Sequence, residues 1–321
     1  MRVALLHERL SGDARTDEKD ALVQRDELAA ALTRLGHEAA CVDLDLDLAA
    51  AARRLHELTP DVVFNLTEAL GGQARLIHLA PALLDVVGLP YTGTGQVAMF
   101  LSSHKLLAKE RLTSLGLPTP ALLGDGPRVG RWIVKPVWED ASVGIDDGAV
   151  VEADEVDQAL QERGAAYGEV FAEAYVEGRE LNLSLLADGA GVVCLPPAEI
   201  AFEGFPEGKP RIVGYAAKWD EGSFEYARTT RTLDFPDDDA PLLRRVAELA
   251  VRCWYGFGLT GYARVDFRVD RDGQPFVLEV NANPCLASDA GFMAASARAG
   301  LGVDAVVARL LDDALVRARK G

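Results

Sequence analysis

Residues 261–284 read GYARVDFRVDRDGQPFVLEVNANP. Apolar side chains alternate on both sides of Asp272-Gly273, with Val265, Phe267 and Val269 before the pair and Phe276, Leu278 and Val280 after it. A period of two broken by Asp-Gly predicts a β-hairpin with a two-residue turn. Setting Arg271 against Gln274 brings Val265 to Val280, Phe267 to Leu278 and Val269 to Phe276, which makes one face apolar throughout. The other face then holds Asp266 opposite Glu279 and Arg264 opposite Asn281. A one-residue slip would scatter the apolar set over both faces, so the register is well specified. Two carboxylates placed directly opposite each other repel. With the Asn281 amide oxygen they form a set of hard ligands suited to a divalent cation such as Mg²⁺ holding phosphates. A solvated face neutralised by Arg264 and Arg268 is an equally open reading at this point, because exposed ion pairs are common and contribute little.

The chain has 321 residues, enough for two or three units sharing cores. Hydrophobic residues make up 49% and charged ones 26%, a globular composition. With 33 basic against 50 acidic residues the net charge is −17, which argues against nucleic acid or an anionic membrane as partner. Cys41, Cys194, Cys253 and Cys285 form no metal-ligand pattern and read as reduced thiols. No apolar run reaches the ~20 residues that span a bilayer, and the first ten residues are charged too soon for a secretory signal. The expected location is the cytoplasm.

Outward from the hairpin, strands at 2–8, 38–42 and 61–65 alternate with helices at about 22–35, 48–58 and 76–87, the pattern of a small parallel sheet. No GxGxxG follows the first strand and no Walker loop is present. Two helical pieces, 96–101 and 103–115, break near Ser102. Lys135 sits in the apolar strand 131–137, where a lysine calls for an anionic partner unless its head reaches water from an edge. Residues 140–144, DASVG, form a turn of small residues that could turn N–H groups toward phosphate. Glu173 and Glu180 flank the turn Glu177-Gly178 and by default are solvated edge positions. Residues 198–231 read as a strand and then a long polar connection containing Lys218, the kind of loop that covers a site. Helices at 240–257, 290–299 and 303–319 complete the chain.

The stretches VVFNLTEALGG, LPYTGTG, HKLLAKERLTSLGLPTP, IVKPVWEDASVG, FAEAYVEGRELNLSLL, LPPAEI, AAKW and ARVDFRVDRDGQPFVLEVNANP carry, in this order and spacing, a resemblance to the D-alanine–D-alanine ligase branch of the ATP-grasp superfamily. The match runs with few breaks from about residue 61 to the C-terminus. It implies an α/β ATP-grasp fold with α+β elements: a pre-ATP-grasp parallel-sheet domain at 1–97, a central subdomain at 98–178 and a C-terminal domain at 179–321. The implied cofactors are ATP and Mg²⁺, two ions by the family pattern, with Mn²⁺ an acceptable substitute. Lys105 and Lys135 match the lysines that hold ATP phosphates, and Ser142 belongs to the loop that closes over them. Glu173, Ala174 and Val176 match the adenine contacts, and Glu180 the ribose ligand. Lys218 matches the lysine of the mobile loop, Arg264 the oxyanion arginine, and Asp266, Glu279 and Asn281 the metal ligands. The implied reaction passes through an acyl phosphate to an amide, with small carboxylate and amine substrates and a homodimeric assembly.

Departures fall on the amino-acid contacts. LLHERLSGDARTDEKD stands where the family has GGxSxEREVS, Ala141 replaces a serine, Trp219 replaces a tyrosine, Cys285 a glycine and Ala290 a carboxylate-gripping serine, with Ser288 and Asp289 nearby. The sequence therefore predicts a ligase with a different substrate pair. A genuine D-alanine–D-alanine ligase, a non-catalytic Mg·ATP sensor and a kinase stopping at the acyl phosphate are the alternatives.

Overall fold

Alternation of the buried side chains in the first strand organises the N-terminal layer. In the computed structural model, which describes residues 1–10, 12, 15–189 and 191–319, β1 (Arg2–Glu8) lies between β2 (Glu38–Leu44) and β3 (Val62–Asn65) in a parallel sheet. Of the divergent stretch 9–20, residues 11, 13 and 14 fall outside the described residues. Val3 and Leu5 pack on α1 (Thr16–Arg34), while Ala4 and Leu6 pack on α2 (Leu48–Leu58) and α3 (Leu79–Val87). A strand covered on both faces must be apolar at every position, as this one nearly is.

Next come α4 (Gln96–Ser103) and α5 (Lys105–Ser114). The break falls at His104, two residues later than expected, because the His104 ring caps α5 by accepting from the Leu107 N–H at 3.3 Å. A small antiparallel sheet follows, ordered β5 (Val150–Glu152), β4 (Arg131–Pro136), β6 (Val170–Ala174), with α6 (Val156–Tyr167) on one face.

The large sheet holds β7 (Gly178–Asp188), β8 (Gly191–Cys194) and β9 (Ala198–Phe202). The connection after β9 is not one irregular loop: it contains α7 (Tyr215–Trp219), α8 (Phe224–Arg228) and β10 (Thr229–Thr232), which pairs back on β9. Helix α9 (Ala240–Phe257) then leads into β11 (Tyr262–Asp270) and β12 (Pro275–Asn281), and α10 (Gly291–Arg298) and α11 (Val303–Ala318) close the chain. Buried Val246, Leu249, Ala250, Cys253, Trp254 and Phe257 give α9 the i, i+3, i+4 stripe of an amphipathic helix. The order is β10-β9-β7-β11-β12, with β8 on β7. Leu181, Leu183 and Leu185 of β7 and Val265, Phe267 and Val269 of β11 share a core with α4, α5 and α9, so the opposite, polar face of the sheet is turned to the small sheet. Among the described residues no helix is long and apolar enough to cross a membrane.

The hairpin corrects the expected turn. Asp270 N–H donates to Gln274 O and Gly273 N–H to Asp270 O, closing a three-residue loop with Gly273 at φ 75°. This is the three-residue hairpin in which a left-handed residue follows a type I turn. Near the turn the partners are therefore Phe267 with Val277, Arg268 with Phe276 and Val269 with Pro275. A β-bulge at Leu278 takes up the extra residue and restores the expected pairs Asp266–Glu279, Val265–Val280 and Arg264–Asn281. Leu278 leaves the apolar face and joins the lining of a cavity. Gly261, at φ 70°, starts β11 against the turn at Gly93, where an added Cβ would lie 2.8 Å from backbone. No side chain fits there, and Thr260 Oγ1 donates to Gly93 O beside it.

Candidate active site

Between the facing surfaces of the small and large sheets lies a cavity of about 490 Å³. The strand period puts Lys135 of β4 and Glu173 of β6 on its small-sheet wall, and Glu180 and Asn182 of β7 with Arg264, Asp266 and Arg268 of β11 on the other.

Glu173 is not solvated. It is fully buried, with Lys135 Nζ 2.6 Å from Oε1 and Lys109 Nζ 2.6 Å from Oε2. Burial alone would raise its carboxyl, but the two ammonium charges outweigh burial and hold it below the ordinary value. Burial and the Lys135 charge push Lys109 the other way, below the usual lysine range, against the pull of Glu173. Lys109 also donates to Thr119 Oγ1 at 2.9 Å. Lys135 thus meets the anionic partner its apolar strand called for, within the protein itself. Lys109 was missed; the available signal was its i, i+4 spacing from Lys105 on one helix face.

At the hinge between the sheets, Arg268 is 4% exposed and donates to Val176 O at 3.0 Å and to Glu180 at 3.1 Å. Burial raises the Glu180 carboxyl despite that arginine. Ala174 N–H is taken by Ala121 O at 2.9 Å.

Along β11, Arg264 pairs side-on with Asp266, both contacts 2.7 Å, and Asn182 Nδ2 of β7 donates to Asp266 Oδ1 at 2.7 Å. Asp266 and Glu279 stand directly opposite each other on β11 and β12. Burial raises Asp266, the deeper of the two, against Arg264; Glu279 also feels burial but is held low by Lys105, Arg264 and Lys218. Two carboxylates this close resist carrying two full charges without a cation beside them. Asn281 Oδ1 accepts from Asn283 N–H at 2.9 Å. Asp266, Glu279 and Asn281 together present the hard oxygen donors that Mg²⁺ prefers, so the donor set fits such an ion. Arg264 and Arg268 do neutralise acids on this face, but on a largely buried wall rather than in solvent.

Residues 140–144 form the outer lip. Ala141 and Ser142 both hold positive φ, 52° and 63°, an uncommon conformation for side-chain-bearing residues. The strain is pinned from α7 and the residues just before it: Ser142 Oγ donates to Val213 O at 2.7 Å and Trp219 Nε1 to Ala141 O at 3.0 Å. Gly144 is required, because a Cβ there would lie 2.7 Å from the Pro136 ring. Lys105 Nζ reaches Asp140 Oδ1 at 3.3 Å. Lys218 lines the cavity from α7, and burial with the Arg264 charge lowers its ammonium against the pull of Glu279.

A smaller compartment continues past Arg264 and Glu279, bounded by Glu68, Ser103, Asn283 and Cys285. Burial with the charges of Glu8, Asp20 and Asp140 pushes the Glu68 carboxyl up to about 8. No sequence signal singled out Glu68 beyond its place in a matched stretch. Burial pushes the Cys285 thiol up as well, and Sγ donates to Asp20 at 3.5 Å, so it is a poor nucleophile. Ser288 is turned away from the cavity, its N–H and hydroxyl both spent on Glu27 at 2.7 and 2.8 Å.

Three comparisons bear on this geometry. The family model described as D-ala D-ala ligase C-terminus matches residues 131–312. A D-alanine–D-alanine ligase from Anaeromyxobacter sp. (strain Fw109-5) is 33% identical over 303 residues, 90% of this chain and 90% of its own. An uncharacterized protein from Sinorhizobium fredii (strain NBRC 101917 / NGR234) is 31% identical over 304 residues, 89% of this chain and 86% of its own. Among solved structures, a D-alanine–D-alanine ligase from Bacillus anthracis complexed with ATP has a TM-score of 0.77 at 20% identity, covering 100% of this chain and 99% of that one, which is a likeness of fold.

Proposed function

This chain belongs to the D-alanine–D-alanine ligase family of ATP-dependent, C–N bond-forming ATP-grasp enzymes, and from that premise we propose that it joins a carboxylate to an amine other than a pair of D-alanines. The reading rests on one contrast within the cavity. Arg264, Asp266, Glu279, Lys105 and Lys218 converge at one end, whereas the wall beyond them is rebuilt: Cys285 is bonded to Asp20, Ser288 to Glu27, and Ala290 offers no hydroxyl.

In this reading the adenine lies against the Ala174–Val176 hinge and Glu180 takes the ribose. Both Glu173 oxygens already face lysines, so an adenine amino group would share Oε1 with Lys135. Asp266, Glu279 and Asn281 hold Mg²⁺, which when bound neutralises phosphate charge. Lys105, Lys135 and Lys218 add cationic charge along the phosphates, and the loop with Ser142, latched by Trp219, keeps water out. A substrate carboxylate oxygen displaces ADP from the γ-phosphorus. The amine nitrogen then displaces inorganic phosphate from the acyl carbon and sheds a proton as the amide forms. Arg264 stabilises the oxyanion between these states. ADP release against a panel of amino acids and small carboxylates, with the product mass recorded, tests the proposal. Efficient synthesis of D-alanyl-D-alanine from D-alanine alone overturns it.

A further inference from the structure

Glu173 faces two lysines, and they are not equivalent. Lys135 lines the main cavity with 16% of its side chain exposed, whereas Lys109 stands behind Glu173 and is 2% exposed. One ammonium would balance one carboxylate. Burying a second cation beside the first costs desolvation and repulsion, the two effects that push the Lys109 ammonium below the usual lysine range. The extra charge matters once a polyphosphate enters the cavity. Phosphate oxygens then compete with Glu173 for Lys135, and a buried carboxylate left by its only counter-ion would take up a proton. Lys109 is set back from the cavity, so its charge stays with Glu173 whatever binds there.

Lys109 is also anchored. Its Nζ donates to Thr119 Oγ1 at 2.9 Å and to Val277 O at 3.4 Å, and Thr119 Oγ1 donates to the same Val277 oxygen at 2.8 Å. Val277 N–H donates back to Pro118 O at 2.8 Å. Glu173 of the small sheet is thereby tied through Lys109 to β12 of the large sheet, the strand that carries Glu279 and Asn281. An ionised carboxylate accepts hydrogen bonds and donates none, and this one is held in one place. It suits an N–H donor on a nucleobase, such as the 6-amino group of adenine, and repels the carbonyl oxygen that a 6-oxo purine carries at the same position. We propose that Lys109 is a positioning residue, the standing counter-ion and anchor that keeps Glu173 a fixed acceptor, so that the site takes a 6-amino purine nucleotide and rejects a 6-oxo one. This rests on the placement of the base against Glu173 in the reading above.

Equilibrium binding of Mg·ADP and Mg·IDP, whose bases differ at the purine 6-position, tests this without the amine and carboxylate substrates. Wild-type protein is expected to bind ADP more tightly, with a preference that stays constant between about pH 8 and about pH 5.5. Lys109→Met should cut that preference ~10–100-fold, the size of a lost charge-assisted hydrogen bond. What remains should fall further as pH drops, because a protonated Glu173 can donate to the 6-oxo group. Glu173→Gln should lose the preference too, and adding Lys109→Met to it should change nothing more, since Lys109 acts through Glu173. Thermal unfolding of each variant controls for folding. If Lys109→Met does not fold, Thr119→Val, which removes only the hydroxyl anchor, should lower the preference a few-fold. A preference equal to wild type in Lys109→Met, or in Thr119→Val where that variant stands in for it, overturns the proposal and leaves the placement of the base standing. So does a Lys109→Met effect that is just as large in the Glu173→Gln background. Equal binding of ADP and IDP by the wild type overturns that placement and this inference with it.

Discussion

The two ends of the cavity are built on opposite electrostatic plans. At the end bounded by Glu173 and Glu180 the charges already have protein partners: Lys109 and Lys135 enclose Glu173, and Arg268 holds Glu180. At the far end their partners are neutral: Glu68 accepts from Gln24 at 3.4 Å and is pushed toward its uncharged form, and Arg231 donates to a carbonyl. Groups satisfied before a ligand arrives keep the site's shape, while groups left short of partners gain them when the right ligand enters. In the proposed reading the cofactor end is preorganised and the substrate end selective, which is also how the family's pattern divides into kept and changed positions.

Breaking the reacting centre between the two ends should have the largest effect. Arg264→Met is expected to lower kcat by ~10²–10³ with little change in the KM of ATP, as for loss of an oxyanion donor; a large rise in that KM would place Arg264 at the nucleotide instead. Removing the partner at the buried end should cost stability. Glu173→Ala leaves two enclosed lysines facing each other, and breaking a buried pair in this way costs ~3–5 kcal/mol in urea unfolding. A loss under ~1 kcal/mol would mean that water reaches these lysines freely.

Legibility in the sequence follows the same division. The site end of the hairpin was readable because period-two alternation fixes faces. Yet the turn has three residues, not two, and the Leu278 bulge cancels the error before it reaches Asp266 and Glu279. Lys135 announced a missing anion, though not that Glu173 would supply it across β6. Arg231 was invisible: it lies within a polar connection that the sequence reads as irregular, and only the pairing of β10 on β9 turns it toward the cavity. Glu68 gains its character from burial beside Glu8 and Asp20, contacts that no local pattern encodes.

The selective end can be sharpened by titration. Glu68 holds its proton in the folded state up to about pH 8, against an ordinary value of 4.5 for the free carboxyl. Between these values the unfolded chain has lost a proton that the native state keeps, so this group makes stability fall as pH rises. Glu68→Gln should flatten that fall between roughly pH 5 and 8 in urea midpoints; an unchanged slope would show that Glu68 ionises normally. The smallest effect is expected from Trp219→Phe, which removes the bond to Ala141 O. A loss of ~0.5–1.5 kcal/mol should appear as a few-fold rise in the KM of ATP as the lip loosens.

The most direct test of the central claim is the mass of the product formed from Mg·ATP and a mixture of amino acids and small carboxylates that includes D-alanine. The account predicts a condensation product of an acid and an amine, less one water, appearing in step with ADP and distinct from D-alanyl-D-alanine. D-alanyl-D-alanine as the dominant product, made as efficiently as from D-alanine alone, would contradict it.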